Sequence, residues 1–528
     1  MRMSVLVLLG MSLCTAVQGN AGDLFGRDQW PASGNDLANS RSQPAEVRIG
    51  PSNVQSLTVK WVFTTGADVS ATPTVAGDAV FFPDWAGNLF AVNKHTGELI
   101  WSKQISNYDG APGALSRSSP AVHGDEIIFG DIPGRYVYHN GANLIAVDRK
   151  TGALRWITSV DSHVSAQITG SPVVFGDVAY IGVSSQEEGF ALAGAAYPCC
   201  TFRGSVVAVN ARTGQLLWKT YVMPDNGGQP GGYSGGAIWQ PPAIDPVRGQ
   251  LYIGTGNNYS APASVLQCQQ QAIAAGDPNT ANCAPPADLF DSALAIDLAD
   301  GHIRWSKRLW NYDVWTVPCI VPGYQFLCPS PAGPDYDLGG SGPNFLFGLV
   351  GFGQKSGTYW SLNPDTGDVR WSTQMGPGGG TGGIQWGSAT DGRRIYAAIS
   401  NNNQVSYTLT PGGQQINWGF WAAADVFSGK LLWQTADPTA GSTDAGSVSV
   451  ANGVMYAGSS SGYMYALDAA TGKILWSFAS GGSVLGGPSI VEGVLYWGSG
   501  YANATPGTGN NKLYAFSLPT AAPATQPR

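Results

Sequence analysis

Charge is scarce in this chain: only 12% of its 528 residues are Asp, Glu, Lys or Arg, against about a quarter in an ordinary soluble domain. Its 27 basic residues are outnumbered by 35 acidic ones, leaving a net charge of −8, so there is no basic surface to attract nucleic acid or anionic lipid. Histidine is rarer still. Five scattered residues with no His-Glu-x-x-His pattern argue against a zinc hydrolase. There is no Cys-x-x-Cys-His to attach a haem. A membrane span is not expected either, because the apolar opening stretch, residues 1–19, is too short to cross a bilayer and reads as a secretory signal over 1–21. No Ser/Pro linker or change of periodicity interrupts 45–518. A single domain over 22–520 is therefore expected despite the length, followed by a disordered tail, 521–528.

Glycine and tryptophan are abundant, at 72 and 18 residues, and a repeated phrase organises them. Small or apolar residues lead to Asp or Asn, then a polar turn usually containing Thr-Gly, then apolar residues ending in Trp. The copies span 89–101, 144–156, 206–218, 293–305, 359–371, 420–433 and 464–476. Within the first copy Leu89, Ala91, Leu99 and Trp101 alternate with polar residues across Thr96-Gly97, the pattern of a β-hairpin with a glycine at positive φ in its turn. We call these two strands C and D. A pair of shorter strands, A and B, precedes each hairpin. There are eight A-B pairs but only seven complete hairpins; the last, 512–518, stops before its Trp, while an orphan strand at 57–63 carries Trp61. One supersecondary unit repeated this way stacks into a closed array. The reading is an all-β fold, an eight-bladed β-propeller of four-stranded antiparallel blades, closed by the N-terminal strand.

Removing Cys14 with the signal leaves six cysteines, an even count that suits a periplasmic or secreted protein. Cys268 with Cys283 and Cys319 with Cys328 are natural loop pairs. Cys199 and Cys200 are adjacent, and a trans peptide separates neighbouring Cα atoms by about 3.8 Å, below the usual disulfide span of roughly 4.4–6.8 Å. Either they close a small strained ring, a feature that tends to mark function, or they pair elsewhere or stay free.

The repeats, the Cys199-Cys200 pair and the segment Ser234-Gly235-Gly236-Ala237-Ile238-Trp239 together resemble the quinoprotein alcohol dehydrogenases, most of all their polyvinyl alcohol dehydrogenase branch. The resemblance covers essentially the whole mature chain. It implies pyrroloquinoline quinone (PQQ) and Ca²⁺ at one end of the central channel. It places Glu187 and Asn257 as metal ligands, Trp239 as the indole stacked on the quinone, and Thr169 and Ser184 as its hydrogen-bonding partners. Lys355 matches the basic residue beside the reactive carbonyls, Arg117 more loosely a carboxylate-binding arginine, and Cys199-Cys200 a ring packed against the cofactor.

Strand direction supports the grouping. Strands alternate within a blade, so B-C loops and D-A connections open on the same end of the propeller. Glu187, Asn257 and Lys355 follow B strands; Arg117, Thr169, Trp239 and Asp313 lie in D-A connections. The chemistry also suits: carboxylate and amide oxygens bind Ca²⁺, an indole offers a flat face, and cations hold an acidic quinone. The family's catalytic Asp follows a Trp after the fourth hairpin. Here Asn311 and Thr316 stand in those places, which leaves Asp313 as the expected base. The implied reaction is oxidation of an alcohol, secondary and possibly polymeric, with electrons passed to a separate acceptor such as a cytochrome c. The alternative is a non-catalytic propeller scaffold of the cell envelope that binds proteins or a ligand.

Overall fold

The computed structural model describes residues 28–134, 139–276, 283–338, 340–346, 348–503 and 507–519; the expected signal and C-terminal tail lie outside them. Eight sheets form the blades of a propeller. Blade 1 consists of Thr74–Ala76, Ala79–Pro83, Asn88–Asn93 and Leu99–Gln104. Blade 8 combines Ser489–Val491, Val494–Ser499 and Lys512–Ser517 with Thr58–Thr64 from the start of the chain. That N-terminal strand runs antiparallel to Lys512–Ser517, Val62 opposite Tyr514, and so closes the ring as expected.

The repeated phrase is an inter-blade joint. Each tryptophan at the end of a D strand donates its indole N–H to a backbone carbonyl of the next blade: Trp101 to Arg149 at 3.1 Å, Trp156 to Ala211 at 2.8 Å, Trp305 to Pro364 at 2.8 Å. Trp61 and Trp476 do the same across the closure, to Lys94 and Leu57. Under every one of these rings except that of Trp476 lies the turn glycine of the following blade. A Cβ on Gly367 would stand 2.6 Å from Trp305, and one on Gly429 2.5 Å from Trp371. These glycines also have φ of 74° and 69°, a left-handed conformation that costs other residues about 1–2 kcal/mol. Glycine is thus required twice, for the turn and for the ring.

Two features were not read from the sequence. The 255–291 B-C loop carries a helix, Ala263–Ala274, fastened to the rest of the loop by the Cys268–Cys283 disulfide. The segment before the first strand lines the channel. Trp30 pairs with Val75 of blade 1; the carbonyls of Pro31, Leu37, Ala38, Ser40 and Arg41 then accept from Val122, Ile244, Phe345, Thr390 and Val450. Gln43 reaches Ile490 of blade 8. Seven blades are visited in order and blade 3 is passed over. The free edges of inner strands are covered from within, as unpaired strand edges usually must be.

Candidate active site at the propeller mouth

A cavity of about 210 Å³ opens among the B-C loops and D-A connections. A second of about 200 Å³ adjoins it, sharing Arg117, Gln167, Thr169, Ser185 and Glu188. Together they have the capacity of a small-molecule site, roughly 300 Å³ or more. Arg117, Thr169, Ser184, Trp239, Asn257 and Lys355 all line the first. The remaining four residues named from the sequence, Glu187, Asp313, Cys199 and Cys200, do not.

Thr169 and Ser184 share a hydroxyl–hydroxyl bond of 2.7 Å, on a D-A connection and at the end of the neighbouring B strand. Trp239 packs edge-on to Trp386, ring centres 5.2 Å apart, and the Lys355 ammonium sits 5.6 Å from its ring. Arg117 lies 4.0 Å from the Trp386 ring and within 6.0 Å of Trp85 and Tyr501, an aromatic cage that holds a cation at the rim. Asn257 spends both amide hydrogens on the carbonyls of Asn258 and Trp315, at 2.9 and 3.0 Å. That leaves its Oδ1 as the acceptor of a side chain that lines the cavity.

Lys355 is the electrostatic centre. Its Nζ meets Asp337 at 2.7 Å and Asp335 at 2.9 Å. Burial pulls the ammonium down, but Asp335, Asp337 and Glu188 outweigh it and hold its pKa above the ordinary value. Burial drives the Asp335 carboxyl well above the ordinary range, with Lys355 opposing. Glu188 is pushed up to about 7 by burial, again against Lys355 and with help from Asp337. Asp337 also accepts the backbone N–H of Asn257 at 2.7 Å. Clustered titratable groups with shifted pKa values in a cleft are the usual mark of a reactive site.

Glu187 and Asp313, expected as a metal ligand and as the base, both lie outside the cavity lining. Glu187 is fully buried and its carboxylate is saturated: it accepts from Tyr197 Oη (2.7 Å), Thr201 N (2.7 Å), Phe202 N (2.8 Å) and Ser234 Oγ (3.0 Å). It clamps the loop that carries Cys199 and Cys200; the half-buried neighbour that faces the cavity is Glu188. Asp313 is fully buried outside the cavity lining, accepting the backbone N–H groups of Asp335 (2.9 Å) and Tyr336 (2.5 Å). Burial pushes it up to about 7, against those two bonds. Its place is to fold the 335–337 turn so that the next two acidic residues reach Lys355. Cys199 and Cys200 are bonded to each other across a cis peptide with Cα atoms 3.1 Å apart, so the trans spacing assumed from sequence does not apply. They pack in the apolar cluster of Ala237 and Tyr259, beside the lining rather than in it. The pairs Cys268–Cys283 and Cys319–Cys328 are formed.

Glu188, Asp335, Asp337, Trp386 and Tyr501 were missed. All lie in B-C loops or D-A connections, so the rule of strand direction already placed them on the mouth. Nothing in the sequence ranked them above their neighbours. Among the described residues no group of three or more His, Cys, Asp or Glu is arranged as a metal site by itself.

An eight-bladed propeller with an indole, two cations, paired hydroxyls and acidic oxygens around one mouth has the architecture of a quinoprotein alcohol dehydrogenase. A family model described as outer membrane protein assembly factor BamB matches residues 55–198, 190–307 and 422–522. The polyvinylalcohol dehydrogenase of Sphingopyxis sp. (strain 113P3) is 31% identical, over 94% of this chain and 77% of that protein. That of a Pseudomonas sp. is 29% identical, over 94% and 78%. The structure of the quinohemoprotein alcohol dehydrogenase of Comamonas testosteroni superposes with a TM-score of 0.69 at 18% identity, over 96% of this chain and 83% of that one. The chain belongs to the polyvinylalcohol dehydrogenase family of PQQ-dependent quinoprotein alcohol dehydrogenases.

Proposed function

We propose that the mouth cavity holds PQQ against Trp239 and that the protein oxidises alcohols there, secondary and possibly polymeric ones, passing electrons to a separate acceptor such as a cytochrome c. The observation that carries this reading is the convergence of Trp239, Lys355, Asn257 and the Thr169–Ser184 pair on one cavity. These residues fit the cofactor: an indole face for a flat ring system, hydroxyl groups for its polar edge, Lys355 for its reactive carbonyls and Arg117 for a carboxylate. Ca²⁺ is proposed beside it, held by Glu188 and by Asn257 Oδ1, hard oxygen donors whose number is completed by cofactor or water. When bound, PQQ supplies an electrophilic carbonyl, polarised by the metal, that takes up hydrogen and two electrons from the alcohol carbon.

Asp337 faces the cavity and Asp335 stands beside it, so this pair is placed to take the hydroxyl proton as the carbon is oxidised. Lys355 between them holds both carboxylates in position and stays charged throughout. Glu187 acts through the Cys199–Cys200 loop as a positioning residue. Three disulfides fit an oxidising compartment, periplasmic or extracellular. No helix among the described residues is long and apolar enough to cross a membrane.

The test is to load purified protein with PQQ and Ca²⁺ and follow dye reduction on a secondary alcohol. Cofactor-dependent turnover is expected. Protein that takes up PQQ but oxidises no primary or secondary alcohol would favour the non-catalytic scaffold, and protein that takes up none would remove the proposal.

A further inference from the structure

Next to the mouth lies a third, smaller chamber, about 60 Å³, which Trp239 and Arg117 line together with Arg41 and several hydroxyl residues. Arg41 belongs to the N-terminal segment that circles the channel. Only 3% of it is exposed. Its Nε donates to Val448 O at 3.0 Å and its Nη2 to Thr72 Oγ1 at 2.7 Å and Ser447 Oγ at 2.9 Å. All three partners are neutral. Among the described residues no carboxylate pairs with it, none lines the chamber, and its side-chain hydrogen bonds leave from Nε and Nη2 and not from Nη1. Burial with no acidic partner pulls the guanidinium down to about 10, still charged at neutral pH.

A second observation points into the same space. Ser33, 4% exposed, lines the chamber, and among the described residues its Oγ has no hydrogen-bond partner. A buried charge is costly unless something pairs with it. Here one edge of a guanidinium and one hydroxyl are left without acceptors around a space too small for a large ligand. Arg117 adds a second positive charge at the chamber wall.

We propose that this chamber binds a small monovalent anion of chloride size, held by Arg41 Nη1 and Ser33 Oγ, as the counter-charge of the channel. The chamber shares Arg117, Thr169, Trp239 and Trp386 with the mouth cavity, but Arg41 and Ser33 line only the chamber, and the proposal stands whether or not the mouth binds a quinone.

The experiment uses the full mature protein without cofactor in gluconate buffer of constant ionic strength, titrated with chloride while Tm is followed. A saturable rise is expected, roughly 3 °C at a hundredfold excess over Kd. Crystals soaked in bromide should show an anomalous peak beside Arg41. Arg41→Gln should lose the chloride dependence, and Ser33→Ala should weaken it about tenfold. Should Arg41→Gln fail to fold, Ser33→Ala and the bromide peak decide. No chloride dependence in the wild type together with no bromide peak means the chamber holds water only and overturns the proposal. A chloride effect that survives in folded Arg41→Gln places the binding elsewhere and overturns it equally.

Discussion

Around the outer circumference, seven glycines with φ between 69° and 76° each receive the tryptophan of the preceding blade in the same way. At the mouth the blades present unlike side chains to one cavity: Thr169, Trp239, Asn257, Asp337 and Lys355 come from five different inter-strand connections or loops and none repeats another's role. Identity of position is the signature of the joint that closes the ring, where every blade must meet the next with the same geometry. Departure from the repeat is the signature of chemistry. The same contrast appears between two neighbours. Glu187 is consumed by four donors and holds a loop, whereas Glu188 lines the cavity with a carboxyl raised to about 7.

The contrast breaks most visibly at Asp337. Asp337→Asn is expected to lower kcat/KM for a secondary alcohol by about 10² to 10⁴ while circular dichroism and Tm stay near those of the parent. Asp313→Asn is expected to do the reverse: it disturbs the turn before Lys355 and lowers Tm, while the folded protein keeps its pH profile. Equal loss of rate in both variants without loss of stability would place Asp313 in the chemistry after all.

The outer ring responds the opposite way. Gly367→Ala forces a left-handed alanine against Trp305, 2.6 Å from the new Cβ, and should cost roughly 2–4 kcal/mol of stability. Gly214→Ala and Gly472→Ala should cost about as much, since they make the same joint. Denaturant unfolding checks this, and activity per folded molecule should be unchanged. A set of unequal losses would show that the blades are not equivalent joints.

The smallest effect expected is one of pH. Because burial raises the Glu188 pKa to about 7, a proton competes with any cation there below that value. Ca²⁺ affinity of the PQQ-loaded protein should therefore fall about tenfold per pH unit below 7 and level off above it. Glu188→Gln should bind Ca²⁺ weakly at every pH and lose the slope. Calorimetric titration between pH 5 and 8 reads both.

The fold was legible because its physics is periodic. A hairpin that ends in Trp and turns through Thr-Gly states both its own geometry and its contact with the next blade, and the orphan strand with Trp61 announced the closure. The cavity was legible in part, because strand direction puts Arg117, Thr169, Trp239, Asn257 and Lys355 on one end. Choosing among acidic neighbours was beyond the sequence. Whether Glu187 or Glu188 turns inward depends on which one the amides of Thr201 and Phe202 capture, fourteen and fifteen residues away. Asp335 and Asp337 reach Lys355 only because Asp313 folds the chain back over a 22-residue separation. The channel-lining segment had no periodicity to betray it: its hydrogen bonds go one by one to successive blades.

The most direct measurement is equilibrium binding of PQQ to the purified protein in Ca²⁺, with and without Trp239. One PQQ per chain is expected, with a shift in quinone absorbance, and Trp239→Ala should weaken binding by at least about fivefold, since stacking by a buried aromatic contributes on the order of 1 kcal/mol beyond the area it covers. Unchanged affinity in a folded Trp239→Ala protein, or no binding by the parent, would contradict the assignment of the mouth cavity as the quinone site.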